Sequence, residues 1–89
     1  MMNYVAIIKN LSDVNKEAFK RLSEALTEYT SDGAWWDEDP ELEQEAQETV
    51  AKMLEAYNKF CETLDLQYLK RASDLDYQLV GWRIEVEVR

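Results

Sequence analysis

Histidine is absent from this chain, cysteine and proline each occur once, and glycine occurs twice. Without an imidazole there is no Ser-His-Asp or Cys-His nucleophile system, no histidine-bearing zinc site and no Glu-x-x-His di-iron motif. A phosphate-cradling loop needs clustered glycines, whereas Gly33 and Gly81 stand far apart. The lone Cys61 excludes an internal disulfide framework and fits a reducing, cytoplasmic setting. It lies at the edge of an apolar helical stripe and reads as a buried, inert thiol. No apolar run approaches the roughly 18–20 residues that cross a bilayer, and no basic-then-apolar leader opens the chain. The expectation is a soluble protein that is not exported.

Positive charge is the scarcest feature of all between Asp32 and Glu48. That stretch holds eight carboxylates, Asp32, Asp37, Glu38, Asp39, Glu41, Glu43, Glu45 and Glu48, and no lysine or arginine. The whole chain has 19 acids and 10 bases, so eleven acids face ten bases everywhere else, and eight of the nine net negative charges belong to this block. A generally acidic solubility surface would spread them. A field of this sign repels anionic lipids and phosphates, so neither a membrane nor nucleic acid is expected as a direct partner.

What is present is enough apolar material for one core. At 89 residues and 46% hydrophobic the chain is a single domain, 1–89, and not a disordered acidic tail. A domain of this size buries roughly 60–65% of its unfolded surface and is stable by only a few kcal/mol, which makes dimerisation or partner binding energetically useful. No internal repeat or linker interrupts it.

Local patterning predicts an α+β fold. Tyr4-Val5-Ala6-Ile7-Ile8 is short and rich in β-branched residues, which predicts a buried strand. A helix follows, with Asn15 as its cap, Val14 and Phe19 as a hydrophobic staple, and Ala18, Leu22, Ala25, Leu26 and Tyr29 as its apolar stripe. Opposite charges four apart, Glu17 with Arg21 and Lys20 with Glu24, neutralise its outer side. After a loop around Gly33, Asp39-Pro40 announces a second helix whose stripe is Leu42, Ala46, Val50, Met53, Tyr57, Phe60 and Leu64. On its outer side Glu48 with Lys52 and Glu55 with Lys59 form further pairs.

Residues 65–76 read either as a third strand or as more helix. From Tyr77 the period changes to 2, with Trp82, Ile84, Val86 and Val88 alternating with Arg83, Glu85, Glu87 and Arg89, the pattern of a half-buried strand after a bulge or bend at Gly81. The expected architecture is an antiparallel helical hairpin packed on a small antiparallel sheet, in the order β-α-α-(β)-β. Two strands alone are marginal, so a homodimer through sheet edges is a natural completion.

The candidate site follows from charge and aromatics together. Trp35 and Trp36 precede Asp37, Glu38, Asp39, Glu41, Glu45 and Glu48, and of these acids only Glu48 has a base, Lys52, one helical turn away in the sequence. Acids in the first turn favour the positive end of the helix dipole by about 0.3–1 kcal/mol each, which accounts for two or three of them. Eight without an intervening base exceed that need. An aromatic anchor ringed by charge matches the composition of a binding hot spot.

Two enzymatic patterns are also present. Glu45-x-x-Glu48 followed by Glu62-x-x-Asp65 formally resembles the E-x-x-E and E-x-x-D pair of the MazG-like nucleotide pyrophosphohydrolases, which are all-helical and Mg²⁺-dependent. On one continuous helix, however, the two pairs would lie about 21 Å apart by rise alone. Calcium binding by Asp32, Asp37 and Asp39 lacks the spacing of an EF-hand. The expected function is therefore non-catalytic and free of cofactors and metals. The size and charge are similar to phage anti-defence proteins, including nucleic-acid-mimicking anti-CRISPR proteins, and to nuclease immunity proteins. The expected partner is a basic protein such as a nuclease, and the alternative is a self-associating module with a solubilising acidic face.

Overall fold

A computed structural model describes residues 4–30 and 39–88 of the chain. The described residues form four helices and no strand: α1 Tyr4–Lys9, α2 Asp13–Tyr29, α3 Pro40–Thr63 and α4 Leu66–Val80, followed by a segment without regular secondary structure over 82–88. The expected α+β architecture and its sheet are thus replaced by an all-helical fold, and a dimer through sheet edges loses its structural basis.

The first correction concerns residues 4–8. A strand here needs a partner edge, whereas a helix satisfies its own backbone groups and still buries Ile7 to 2% exposure. Asn10 closes the turn, with its Nδ2 donating to the Ala6 carbonyl at 2.9 Å and its backbone N–H to Ile7 at 3.2 Å. The intrinsic cost of β-branched residues in a helix is only about 0.5 kcal/mol each, so tertiary packing overrides it.

α2 starts one turn earlier than the sequence suggests. Ser12 is the cap and accepts from the Asn15 N–H, while Asn15 itself is 3% exposed inside the helix. That register also removes Val14 and Phe19 from staple positions. Ala18, Phe19, Leu22 and Leu26 face the core, with Ala25 and Tyr29 half-buried. Phe19 stacks on Tyr57 of α3 at 5.2 Å between centroids and 5° between planes, and tilts against Phe60 at 5.6 Å.

α3 begins as expected at Asp39-Pro40, the Asp39 carboxylate accepting from the N–H groups of Glu41 and Leu42. Ala46, Val50, Met53 and Phe60 of its predicted stripe are buried, joined by Ala56 and Cys61. The helix ends without glycine: Leu64 takes the left-handed conformation itself, φ 57°, and donates its N–H to the Phe60 carbonyl. Asp65 then caps α4 by accepting from Gln67. This two-residue connection folds α4 back along α3, and the pair shares the most extensive interhelical contact of the fold.

Residues 65–76 are accordingly helix, and Tyr77–Val80 continue it. The inward positions of α4 are Leu69, Ala72, Ser73 and Asp76, spaced at three and four residues. Two of the four are polar, which hid the helical period. Gly81 is not a bulge but the C-cap of α4, at φ 73° with its N–H on the Tyr77 carbonyl. The segment after it is not the expected strand, although Ile84 and Val86 pack against the core. It joins no ladder. Ser73 Oγ donates to the Ile84 carbonyl at 2.5 Å, and the Asn15 amide holds Glu87. Trp82, expected on the inner face, is 75% exposed.

Phe19, Leu22, Met53, Phe60 and Leu69 sit at the centre, each 1% exposed or less. Burial of such side chains is worth about 1.5–3 kcal/mol apiece, which makes them the principal source of stability.

Candidate functional site

Trp35, Trp36, Asp37 and Glu38, with Asp32, lie outside the described residues. The remaining site residues are the cap Asp39 and, within the first nine residues of α3, Glu41, Glu45 and Glu48. Asp39 caps the helix, with Oδ1 at 3.1 Å from the Glu41 nitrogen and 3.2 Å from that of Leu42. Glu41 and Glu43 occupy the first turn, where the carboxylates face the positive end of the helix dipole. Glu43 is half-buried and accepts from Gln47 Nε2 at 3.0 Å.

Glu41, Glu45 and Glu48 are exposed and recur at four and three residues, so they form one row. The row spans about 10.5 Å by helical rise. None of the three enters an ion pair among the described residues, where the pairs are Lys16–Asp13, Arg21–Glu17, Lys70–Asp74 and Arg83–Asp74. The expected Glu17–Arg21 pair closes at 2.9 Å, whereas Lys20–Glu24, Glu48–Lys52 and Glu55–Lys59 do not come within 4.0 Å.

Helix length explains why the row stays bare. α3 has 24 residues and α4 has 15, so the hairpin leaves the first turns of α3 beyond the far end of α4. Those turns carry the acids, while the bases Lys70 and Arg71 near the start of α4 lie beside the other end of α3. The tertiary structure keeps apart the opposite charges that the sequence already separates.

The residues of the MazG-like pattern do not converge. Glu45, Glu48 and Glu62 are on α3 itself, Asp65 caps α4, and among the described residues no three candidate ligands group around a metal position. The all-helical fold agrees with that family; the placement of its motif does not. Of the calcium candidates only Asp39 is described, and its carboxylate holds the helix start.

Two features escaped the sequence reading. Asp76 is a buried carboxylate, 3% exposed, that accepts from the Tyr29 hydroxyl at 2.7 Å. Burial pushes its pKa up, and the Tyr29 hydrogen bond pulls the other way. Desolvation and the adjacent Asp76 both raise Tyr29, so the phenol remains a donor. A charged residue within a helical stripe was the available signal. Lys52, Lys59 and Arg71 meet between α3 and α4, which no sequence spacing could announce. Cys61 is buried as expected, and burial raises its thiol pKa.

Comparison with protein-family models, with curated proteins and with solved structures gives no match. No helix among the described residues is long and apolar enough to cross a membrane.

Proposed function

We propose that this chain is a small, non-catalytic cytoplasmic inhibitor that occludes a basic surface of a partner protein, of the kind that grips nucleic acid in a nuclease. The observation that carries the reading is the row Glu41, Glu45 and Glu48, exposed, in no ion pair among the described residues and continuous with a block that holds eight of the nine net negative charges. A carboxylate at nearly every turn, about 5.4 Å apart, offers Lys and Arg side chains the same sign of charge as a phosphate backbone. Complementary fields of this kind accelerate encounter and fix orientation. In the proposed complex Asp37, Glu38, Asp39, Glu41, Glu45 and Glu48 contact bases of the partner, and Trp35 or Trp36 is the apolar anchor. In size and charge this is the design of phage anti-defence and nuclease-immunity proteins.

The test is capture from a cell lysate at low and high salt, with wild type beside a Glu41→Lys/Glu45→Lys variant. A basic nucleic-acid-binding protein should be retained at low salt, released at high salt and lost by the variant. Both side chains are exposed, so circular dichroism should show the variant folded. Equal affinity of the variant and wild type for the captured protein overturns the acidic-face reading.

A further inference from the structure

The groove between α3 and α4 carries charge of the opposite sign. Lys52, Glu55, Ala56 and Lys59 from α3 and Tyr68 and Arg71 from α4 line a cleft of about 170 Å³. Their spacing assembles it: positions 52, 55, 56 and 59 share one face of α3, and 68 and 71 are one turn apart on the helix beside it. Ala56 and Ala72, buried to 4% and 0% exposure, keep the two backbones close at this seam.

The bases here are not engaged elsewhere. Of the nine described lysines and arginines, Lys16, Arg21, Lys70 and Arg83 are held in ion pairs. Lys52, Lys59 and Arg71 are in none, so three of the five unpaired bases meet at one cleft in a chain of net charge −9. Glu55 is within helical reach of both lysines, yet neither pair closes to 4.0 Å.

We propose that this cleft is a binding site for a phosphate-type dianion. Three cations against one carboxylate leave an excess of two positive charges, and a phosphate monoester carries about −1.5 to −2 at neutral pH. A single carboxylate would match only half of that excess. The Arg71 guanidinium takes two oxygens in a fork, Lys52 and Lys59 act as point charges, and the Tyr68 hydroxyl donates a further hydrogen bond. The volume is below the roughly 300–1,000 Å³ of sites for drug-sized ligands, so the cleft itself takes a phosphate group with at most a small substituent. The site is independent of the acidic row on α3.

The experiment is a titration of ¹⁵N-labelled full-length chain with inorganic phosphate at constant ionic strength, chloride being the balancing anion and methyl phosphate a parallel arm. Saturable shifts should centre on the amides of Ala56, Tyr68 and Arg71. Arg71→Gln and Lys59→Gln should each weaken binding roughly tenfold, the effect of removing one charge-assisted partner. Lys20→Gln should leave it unchanged, and Glu55→Gln should tighten it several-fold by removing the internal counter-charge. Tighter binding of methyl phosphate assigns an ester as the ligand and tighter inorganic phosphate assigns the free ion, either supporting the site. An equal response to chloride, shifts spread over Lys9 and Lys20, or an Arg71→Gln variant that binds as wild type overturns it. Glu41→Lys/Glu45→Lys should keep the site, which separates its failure from that of the acidic face.

Discussion

The side-chain amide of Asn15 clasps the backbone of Glu87: Nδ2 donates to the Glu87 carbonyl at 2.9 Å, and Oδ1 accepts the Glu87 N–H at 2.8 Å. This is the pair of bonds a neighbouring strand would offer, supplied instead by a side chain of α2. It holds the C-terminal segment against the helices without a sheet.

Asn15→Ala should therefore cost about 1–3 kcal/mol, since it removes two partly buried hydrogen bonds to the Glu87 backbone. Asn15→Asp retains an acceptor for the N–H but sets a carboxylate against the Glu87 carbonyl, and should cost more than a single lost bond. Urea unfolding measures the loss, and hydrogen exchange at the Glu87 amide should accelerate in both variants. Unaltered exchange there would mean that the clasp does not hold the segment.

Asp76 predicts a pH dependence of definite sign. Burial raises its pKa above the usual 3.8 in the folded state. The unfolded chain therefore releases this proton first, so the contribution of Asp76 to stability is complete below the usual value and is lost as pH rises through the folded one. Asp76→Asn does not titrate. The stability of wild type relative to this variant should fall as pH rises above about 3.8, the other carboxylates being common to both proteins. Urea midpoints across that range check it, and a constant difference contradicts it.

Asp39 separates folding from binding. Its carboxylate caps α3 through two N–H groups, and loss of such a cap costs about 0.5–2 kcal/mol, so Asp39→Ala should destabilise by that amount. Asp39→Asn keeps the cap and removes the charge. It should melt close to wild type while weakening and desalting partner binding, a combination that thermal unfolding and a salt series of affinities would detect.

Leu64 terminates α3 at φ 57°, where a side chain other than glycine costs about 1–2 kcal/mol. Leu64 is also half-buried against the core, so two effects oppose each other on truncation. Leu64→Ala loses the packing and keeps the strain, whereas Leu64→Gly loses both. The glycine variant should be the more stable of the two by about 0.5–1 kcal/mol after allowing for the flexibility glycine adds to the unfolded chain. Chemical denaturation of the pair decides it.

The same residues show how far local pattern reaches. The stripes of α2 and α3 and the Asp39-Pro40 start were legible because helix capping and a 3.6-residue period depend on near neighbours. The end of α3 was not, since Leu64 does the work of a C-cap without the glycine that would have marked it. α4 was obscured by Ser73 and Asp76, polar residues at inward positions whose partners, Ile84 and Tyr29, are 11 and 47 residues away. Of the candidate site, the exposure of Glu41, Glu45 and Glu48 was legible because none of them belongs to the apolar stripe Leu42, Ala46, Val50 and Met53 at helical spacing. The cleft at Lys52, Lys59 and Arg71 was not, since it depends on how α3 and α4 align.

The amino-acid sequence by itself determined where the charge lies, where α3 begins, which faces of α2 and α3 are apolar and that Cys61 is buried. Each follows from composition or from interactions within a few residues. Only the tertiary structure decided that Tyr4–Lys9 and Leu66–Val80 are helices and that residues 82–88 form no strand. A strand exists only if another edge completes its hydrogen bonds, and here Asn15 and Ser73 complete part of that pairing from helices.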